Sequence, residues 1–224
     1  MDDLTCMPKE LVSGPDRKRA QAKYSRIAGS YDRRLATARS LHRRAVTMLD
    51  PQTGETIIDI GCGTGLSFAH LEAGIGDAGK LIGVELSPEM AQHARDRATR
   101  QGWSNVKVIE ASAEEAEIPS GADAALFVLT HDIMRSRQGL ENVLRTLRPG
   151  GRVAAAGSKW ARGWALPLNA YVWMKARRYV TTFEGFAAPW SILAELVPGL
   201  EVRPILAGAA YLAHGQLPNG SGDD

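Results

Sequence analysis

From residue 55 to residue 158 the chain alternates between short apolar runs rich in β-branched residues and longer helical patterns. That alternation leaves few architectures open. Strand patterns fall at residues 56–60, 80–85, 106–110, 124–129 and 152–157, and helical patterns at 66–72, 88–101 and 133–147, with a short helical piece near Ala113. Such a succession is the pattern of a doubly wound parallel sheet, an α/β fold. The first strand runs into "IIDIGCGTGLSF", where an acid, Asp59, is followed by Gly61, Gly63 and Gly65. Glycine stands where φ is positive or where a Cβ would block a close neighbour. One glycine serves a turn; three at alternate positions predict that a helix or a ligand uses the space.

A chain of 224 residues suits one α/β domain with a sizeable core. Its net charge of +2 gives no general argument for a nucleic-acid partner. Cys6 and Cys62 make no disulfide framework, and no Cys/His spacing suggests zinc. Without a secretory leader or an apolar run long enough to cross a bilayer, a cytoplasmic protein is the expectation. The expected organisation is a helical cap at 1–50, a core at 51–158, an insert at 159–190, a terminal helix and strand hairpin at 191–217, and a disordered tail at 218–224. Pro204 places its strand of the hairpin at an edge or a bulge. "LRPGGR" (147–152) is read as a turn that stops a helix before a strand.

In doubly wound sheets ligands bind beyond the carboxyl ends of the strands, where the glycine turn lies. The turn reads G-x-G-x-G, with Leu66 where a dinucleotide fingerprint needs its third glycine, and it lacks the Lys-Ser/Thr of a phosphate loop. The second strand ends on Glu85, about twenty residues on, the distance at which an acid takes a ribose diol. Turn and acid together favour a nucleoside that carries no phosphate chain.

"IIDIGCGTGLSF", "IGVELSPEM" and "LRPGGRVAAAG", in this order and spacing, resemble class I S-adenosylmethionine-dependent methyltransferases. The likeness covers about residues 20 to 158 and extends to "YSRIAGSYD", similar to the cap of small-molecule members. It implies a Rossmann-like seven-stranded sheet, mostly parallel with an antiparallel last strand, with helices on both faces. It also implies S-adenosyl-L-methionine as cofactor. By the same resemblance Asp59 and the backbone of Gly61, Cys62 and Gly63 cradle the methionyl part. Glu85 holds the ribose, and Leu86 and Met90 lie against the adenine. Ser112 stands where the family commonly has an aspartate for the adenine amine, with the Ala113 N–H beside it. The carbonyls of Leu129 and Thr130 face the ammonium, and Tyr24 and Tyr31 cover the methionyl end.

Methyl transfer asks the protein to align a nucleophile with the sulfonium methyl and to exclude water. A phenol or carbon acid also needs a base; a neutral amine does not. "VLTHDIMRS" puts His131 past the fourth strand, as candidate base or acceptor ligand, with Thr130 or Asp132 as candidate helix caps. His42, His70, His93 and His214 are read as surface or packing residues. Four of the five tryptophans, Trp160, Trp164, Trp173 and Trp190, fall in the insert with Tyr171, Tyr179, Phe183 and Phe186. That favours a lid over a small apolar or aromatic acceptor. The alternative is a phospholipid acceptor, since "WMKARRYV" suits a membrane surface and resembles phosphatidylethanolamine N-methyltransferases; ubiquinone and menaquinone methyltransferases are the other likeness. A non-catalytic nucleoside-binding protein is the reading from another class. No stacking-and-basic stripe argues for nucleic acid.

Overall fold

The structure, a computed structural model, describes residues 36–162, 165–177 and 179–219. Tyr24, Tyr31, Trp164 and most of the expected cap and tail lie outside the described residues. The elements in chain order are α1 (Ala36–Leu49), β1 (Thr56–Ile60), α2 (Phe68–Ile75), β2 (Lys80–Glu85), α3 (Pro88–Gln101), β3 (Val106–Glu110), β4 (Ala122–Val128), α4 (His131–Met134), α5 (Arg137–Leu144), β5 (Leu147–Ser158), α6 (Leu166–Ala176), α7 (Ser191–Leu196), β6 (Glu201–Ile205) and β7 (Ala210–Gln216).

The strands form one sheet in the order β3-β2-β1-β4-β5-β7-β6. β1 through β5 pair in parallel, and β7 enters antiparallel between β5 and β6. The last strand in the chain is therefore the antiparallel one. Pro204, which can donate no ladder bond, sits on the outermost strand, β6. Successive side chains on a strand point to opposite faces, so Ile57 enters one half of the core and Ile58 the other. Leu41, Ala45 and Leu49 of α1, Phe68 and Leu71 of α2 and Ala94 of α3 pack with Ile57, Leu81 and Leu126. Leu140 and Val143 of α5 and Leu193 of α7 pack with Ile58, Phe127 and Val153 on the opposite face.

Several local expectations give way to tertiary contacts. The helix expected over 133–147 is two helices, because Ser136 takes an extended backbone and its Oγ accepts from Gly139 N–H at 3.2 Å. The same hydroxyl donates to Glu114 Oε1 at 2.6 Å. No helix forms near Ala113; Glu115 N–H and Ala116 N–H both bond to the Ser112 carbonyl and close a turn. "LRPGGR" belongs to β5 itself: Leu147 already pairs with Ala122, and the ladder resumes at Arg152 opposite Ala124 across a bulge.

At the glycine turn, Gly65 has φ +74°, and a Cβ there would stand 2.7 Å from the Phe68 ring. Phe68 is fully buried and leads α2 onto the sheet. Phe68→Ala is expected to cost about 3–5 kcal/mol in chemical denaturation, the loss of a filled core site. A cost below about 1 kcal/mol would mean that the turn does not rest on this ring.

Candidate functional site

β1 and β4 are neighbours whose connections leave in opposite directions, so the cleft of the sheet opens at their carboxyl ends. Gly61 closes β1 with φ +63°; a Cβ would stand 2.6 Å from Thr130 Cγ2 at the end of β4. Its missing side chain thus lets the two strand ends meet. Leu129 has φ +61°, a conformation that non-glycine residues seldom hold and that concentrates at functional sites. Its N–H is tied to the Ala156 carbonyl at 2.8 Å.

Glu85 is the last residue of β2, and its carboxylate is buried. Oε2 accepts from Gly63 N–H at 2.9 Å and Oε1 from Ser87 N–H at 2.8 Å. Burial pushes its pKa up, while the N–H groups of Ser87, Gly63 and Leu86 pull it back. One carboxylate thus ties the glycine turn to the start of α3 and keeps further lone pairs for a diol. Ser87 caps α3, and Met90, in the first turn, is buried. Arg97 of α3 donates to the Thr64 carbonyl at 2.8 Å and so ties α3 to the turn.

Asp59 is 2% exposed and on the α1–α2 face of the sheet. Burial above all, reinforced by the charge of Glu85 and offset by a hydrogen bond from Ser67, pushes its pKa up to about 8. Its Oδ2 has no protein partner. Ser112 Oγ and Thr130 Oγ1 are likewise buried and unpartnered. Three orphaned polar atoms at the ends of β1, β3 and β4 are costly unless a ligand satisfies them. An adenosyl amino acid fits this set, with an ammonium for Asp59, a ribose for Glu85 and an adenine amine for Ser112. Ala113 is buried beside Ser112, and its carbonyl accepts from Asn142 Nδ2 at 2.8 Å. Cys62 is buried too, and its thiol is pushed well above its ordinary pKa by burial and then by Asp59 and Glu85.

His131 opens α4 and is 7% exposed. The main chain of Thr182 and Glu184 lies beside the ring but outside hydrogen-bonding geometry, so neither ring nitrogen has a protein partner. Burial, then the Arg135 guanidinium, pushes its pKa down to about 4. Asp132 does not cap the helix. Its carboxylate accepts from Thr181 N–H at 3.1 and 3.2 Å and from Thr181 Oγ1–H at 2.7 Å, which fastens the insert to the end of β4. Thr130 makes no capping bond either.

The insert builds its own apolar cluster rather than laying every ring on the sheet. Trp160 stacks on Phe183 at 5.3 Å, Phe186 meets both, and His131 meets Phe186 edge-on at 5.0 Å. Trp190 instead joins Tyr211 in the main core. Arg135, whose Nη1 donates to Ser191 Oγ at 2.8 Å, keeps a buried Nε without a protein partner.

His42, read as a surface or packing residue, has a partner that the sequence did not show. It is buried on α1, and its Nδ1 lies 2.8 Å from Ser67 Oγ. The i+4 spacing of Leu41, Ala45 and Leu49 marks the helix's inner face, and His42 is adjacent to it, but nothing local names its partner.

Several known proteins are similar to this chain. Residues 57–151 match the family described as a methyltransferase domain. The aklanonic acid methyltransferase of Streptomyces sp. (strain C5) is 30% identical over 105 residues, 46% of this chain and 48% of that protein. The demethylmenaquinone methyltransferase of Listeria monocytogenes is 26% identical over 157 residues, 66% of each. A SAM-dependent methyltransferase from Aquifex aeolicus has the same fold, with a TM-score of 0.60 at 18% identity, covering 90% of this chain and 98% of that one. The chain spans about half to two thirds of the length of these two sequence relatives. This chain is similar to the class I S-adenosylmethionine-dependent methyltransferases in its methyltransferase-domain match and in its fold.

The pKa of Asp59 lies above its unfolded value, so the folded state holds this proton while the unfolded state loses it. Stability of the unliganded protein therefore falls as pH rises from about 4 to about 8. Asp59→Asn is expected to raise the unliganded melting temperature by on the order of 5 °C at pH 8, and by little at pH 4. A gain that does not grow with pH would contradict a buried, protonated Asp59.

Proposed function

We propose that this chain transfers the methyl of S-adenosylmethionine to a small apolar or aromatic acceptor that reaches the site already ionised, with a carboxylate as the favoured nucleophile. The observation that carries the cofactor part is the set of orphaned buried atoms, Asp59 Oδ2, Ser112 Oγ and Thr130 Oγ1, beside the doubly held Glu85 carboxylate. In this reading Asp59 takes the ammonium, Glu85 the ribose hydroxyls and Ser112 the adenine amine. Leu86 and Met90 wall the base, and the Gly61–Cys62–Gly63 backbone and the Leu129 and Thr130 carbonyls line the methionyl end. The bound cofactor supplies the electrophilic methyl.

The acceptor part follows from His131. An imidazole with a pKa near 4 is neutral at physiological pH, but it is too weak a base for a phenol of ordinary pKa. A carboxylate needs no base. The Arg135 cation beside His131 also favours an anion over an amine. His131 then acts as an acceptor ligand, orienting the nucleophile, while Trp160, Phe183 and Phe186 exclude water from the transfer. The aklanonic acid methyltransferase relative is consistent with an acidic acceptor class.

A second reading moves the same chemistry to a lipid surface. Leu166, Tyr171 and Met174 of α6 are exposed, and Lys175 and Arg177 flank them on a helix without acids. No helix among the described residues is long and apolar enough to cross a membrane. Co-sedimentation with phosphatidylglycerol vesicles at low salt separates the two readings: binding lost on Met174→Glu supports the surface, and no binding excludes it.

Release of S-adenosylhomocysteine over a panel of aromatic carboxylic acids, phenols and amines tests the acceptor. Turnover of carboxylic acids is expected, with His131→Ala raising KM at least about tenfold and leaving the pH profile unchanged between pH 6 and 8. Turnover confined to phenols, with an acid limb near neutrality that His131→Ala removes, would overturn it.

A further inference from the structure

Ser67 occupies the N-cap position of α2, where a serine ordinarily bonds a main-chain N–H, yet its side chain makes no capping bond. The hydroxyl is used elsewhere. It stands 2.8 Å from His42 Nδ1 on one side and hydrogen-bonds to Asp59 on the other. All three side chains are buried, and they come from three elements: α1, the turn before α2, and β1.

A hydroxyl has a single proton to give. An ionised Asp59 only accepts, so Ser67 must direct that proton to it. His42 must then present Nδ1–H to the Ser67 oxygen. With Nδ1 bare, the hydroxyl proton would turn toward the ring and leave the carboxylate. We infer that His42 is a positioning residue for the cofactor, its ring N–H fixing the Ser67 hydroxyl so that its proton points to Asp59 and favours the carboxylate form that receives the ammonium. The inference rests on the assignment of Asp59 to the cofactor's methionyl end.

The groups facing Asp59 bear this out. Glu85 from β2 raises its pKa, and Cys62 in the turn is buried and brings no positive charge. Arg97 donates to the Thr64 carbonyl at 2.8 Å. The hydrogen bond from Ser67 is the side-chain interaction that opposes burial. The helix that carries His42 packs over β4 and β5, so the order of α1 and the charge of the ammonium site are linked. Helix α1 is thus part of the binding apparatus as well as a cover for the sheet.

Calorimetric titration with S-adenosylhomocysteine between pH 6 and 8, where the ligand amine stays largely protonated, tests the chain. Below the pKa of Asp59, every half-unit rise in that pKa weakens binding about threefold. His42→Phe and Ser67→Ala are each expected to weaken binding about fivefold at pH 6.5, the loss shrinking as pH rises. The double variant should be no weaker than Ser67→Ala alone, because both break the same chain. His42→Asn places an N–H near the Nδ1 position and should stay within about twofold of the parent. A loss that is independent of pH, or an asparagine no better than phenylalanine, would show that His42 only packs. Ser67→Ala removes one oxygen and carries the test alone should the His42 variants not fold: no pH-dependent loss there overturns the inference. Asp59→Asn run in parallel separates the two claims. If it leaves affinity unchanged the cofactor assignment fails; if it alone weakens binding, only the role of His42 fails.

Discussion

Two carboxylates, Asp59 and Glu85, are buried near one another at the carboxyl edge of a parallel sheet, and each raises the difficulty of ionising its neighbourhood. Isolated buried charge is among the most expensive things a fold can hold. Glu85 is stabilised by main-chain N–H groups from the glycine turn and the start of α3, which is why those two segments have fixed positions. Asp59 has one hydroxyl and an empty lone-pair direction. In the proposed function, one acid is finished by the protein and offers its remaining capacity to hydroxyls, and the other is left for a cation.

The surrounding architecture serves that edge. Thr130 fills the space that Gly61 leaves, so the ends of β1 and β4 close together, and Leu129 holds an uncommon backbone conformation to present the next residues. Strain of this kind is stable only when the neighbours over-determine it, here through the bond from Leu129 N–H to the Ala156 carbonyl and the bonds that Asp132 accepts from Thr181. The insert is thereby fastened at the cleft, with its aromatic rings against His131. In the proposed function, the cofactor side and the acceptor side are joined through the four residues from Leu129 to Asp132.

Where a residue's neighbours in sequence decide its conformation, the sequence was readable. The glycine turn, Glu85 at the end of its strand, α3 from Pro88 to Gln101, and Pro204 on an edge strand all follow from local chemistry. Readings failed where a distant partner decides. Ser136 breaks the expected helix with help from Glu114, and Asp132 leaves the helix end for a threonine 49 residues away. His42 is buried, as a packing residue would be, but its partner Ser67, 25 residues on, could not be read locally. The low basicity of His131 was equally hidden, since burial under Phe186 and the nearness of Arg135 create it.

The most direct test of the central claim is a crystal structure with S-adenosylhomocysteine bound. The ligand's ammonium should lie within hydrogen-bonding distance of Asp59 Oδ2, its ribose hydroxyls on Glu85, and its adenine amine on Ser112 Oγ. A ligand found elsewhere, or bound here with Asp59 Oδ2 and Ser112 Oγ still unpartnered, would contradict the account.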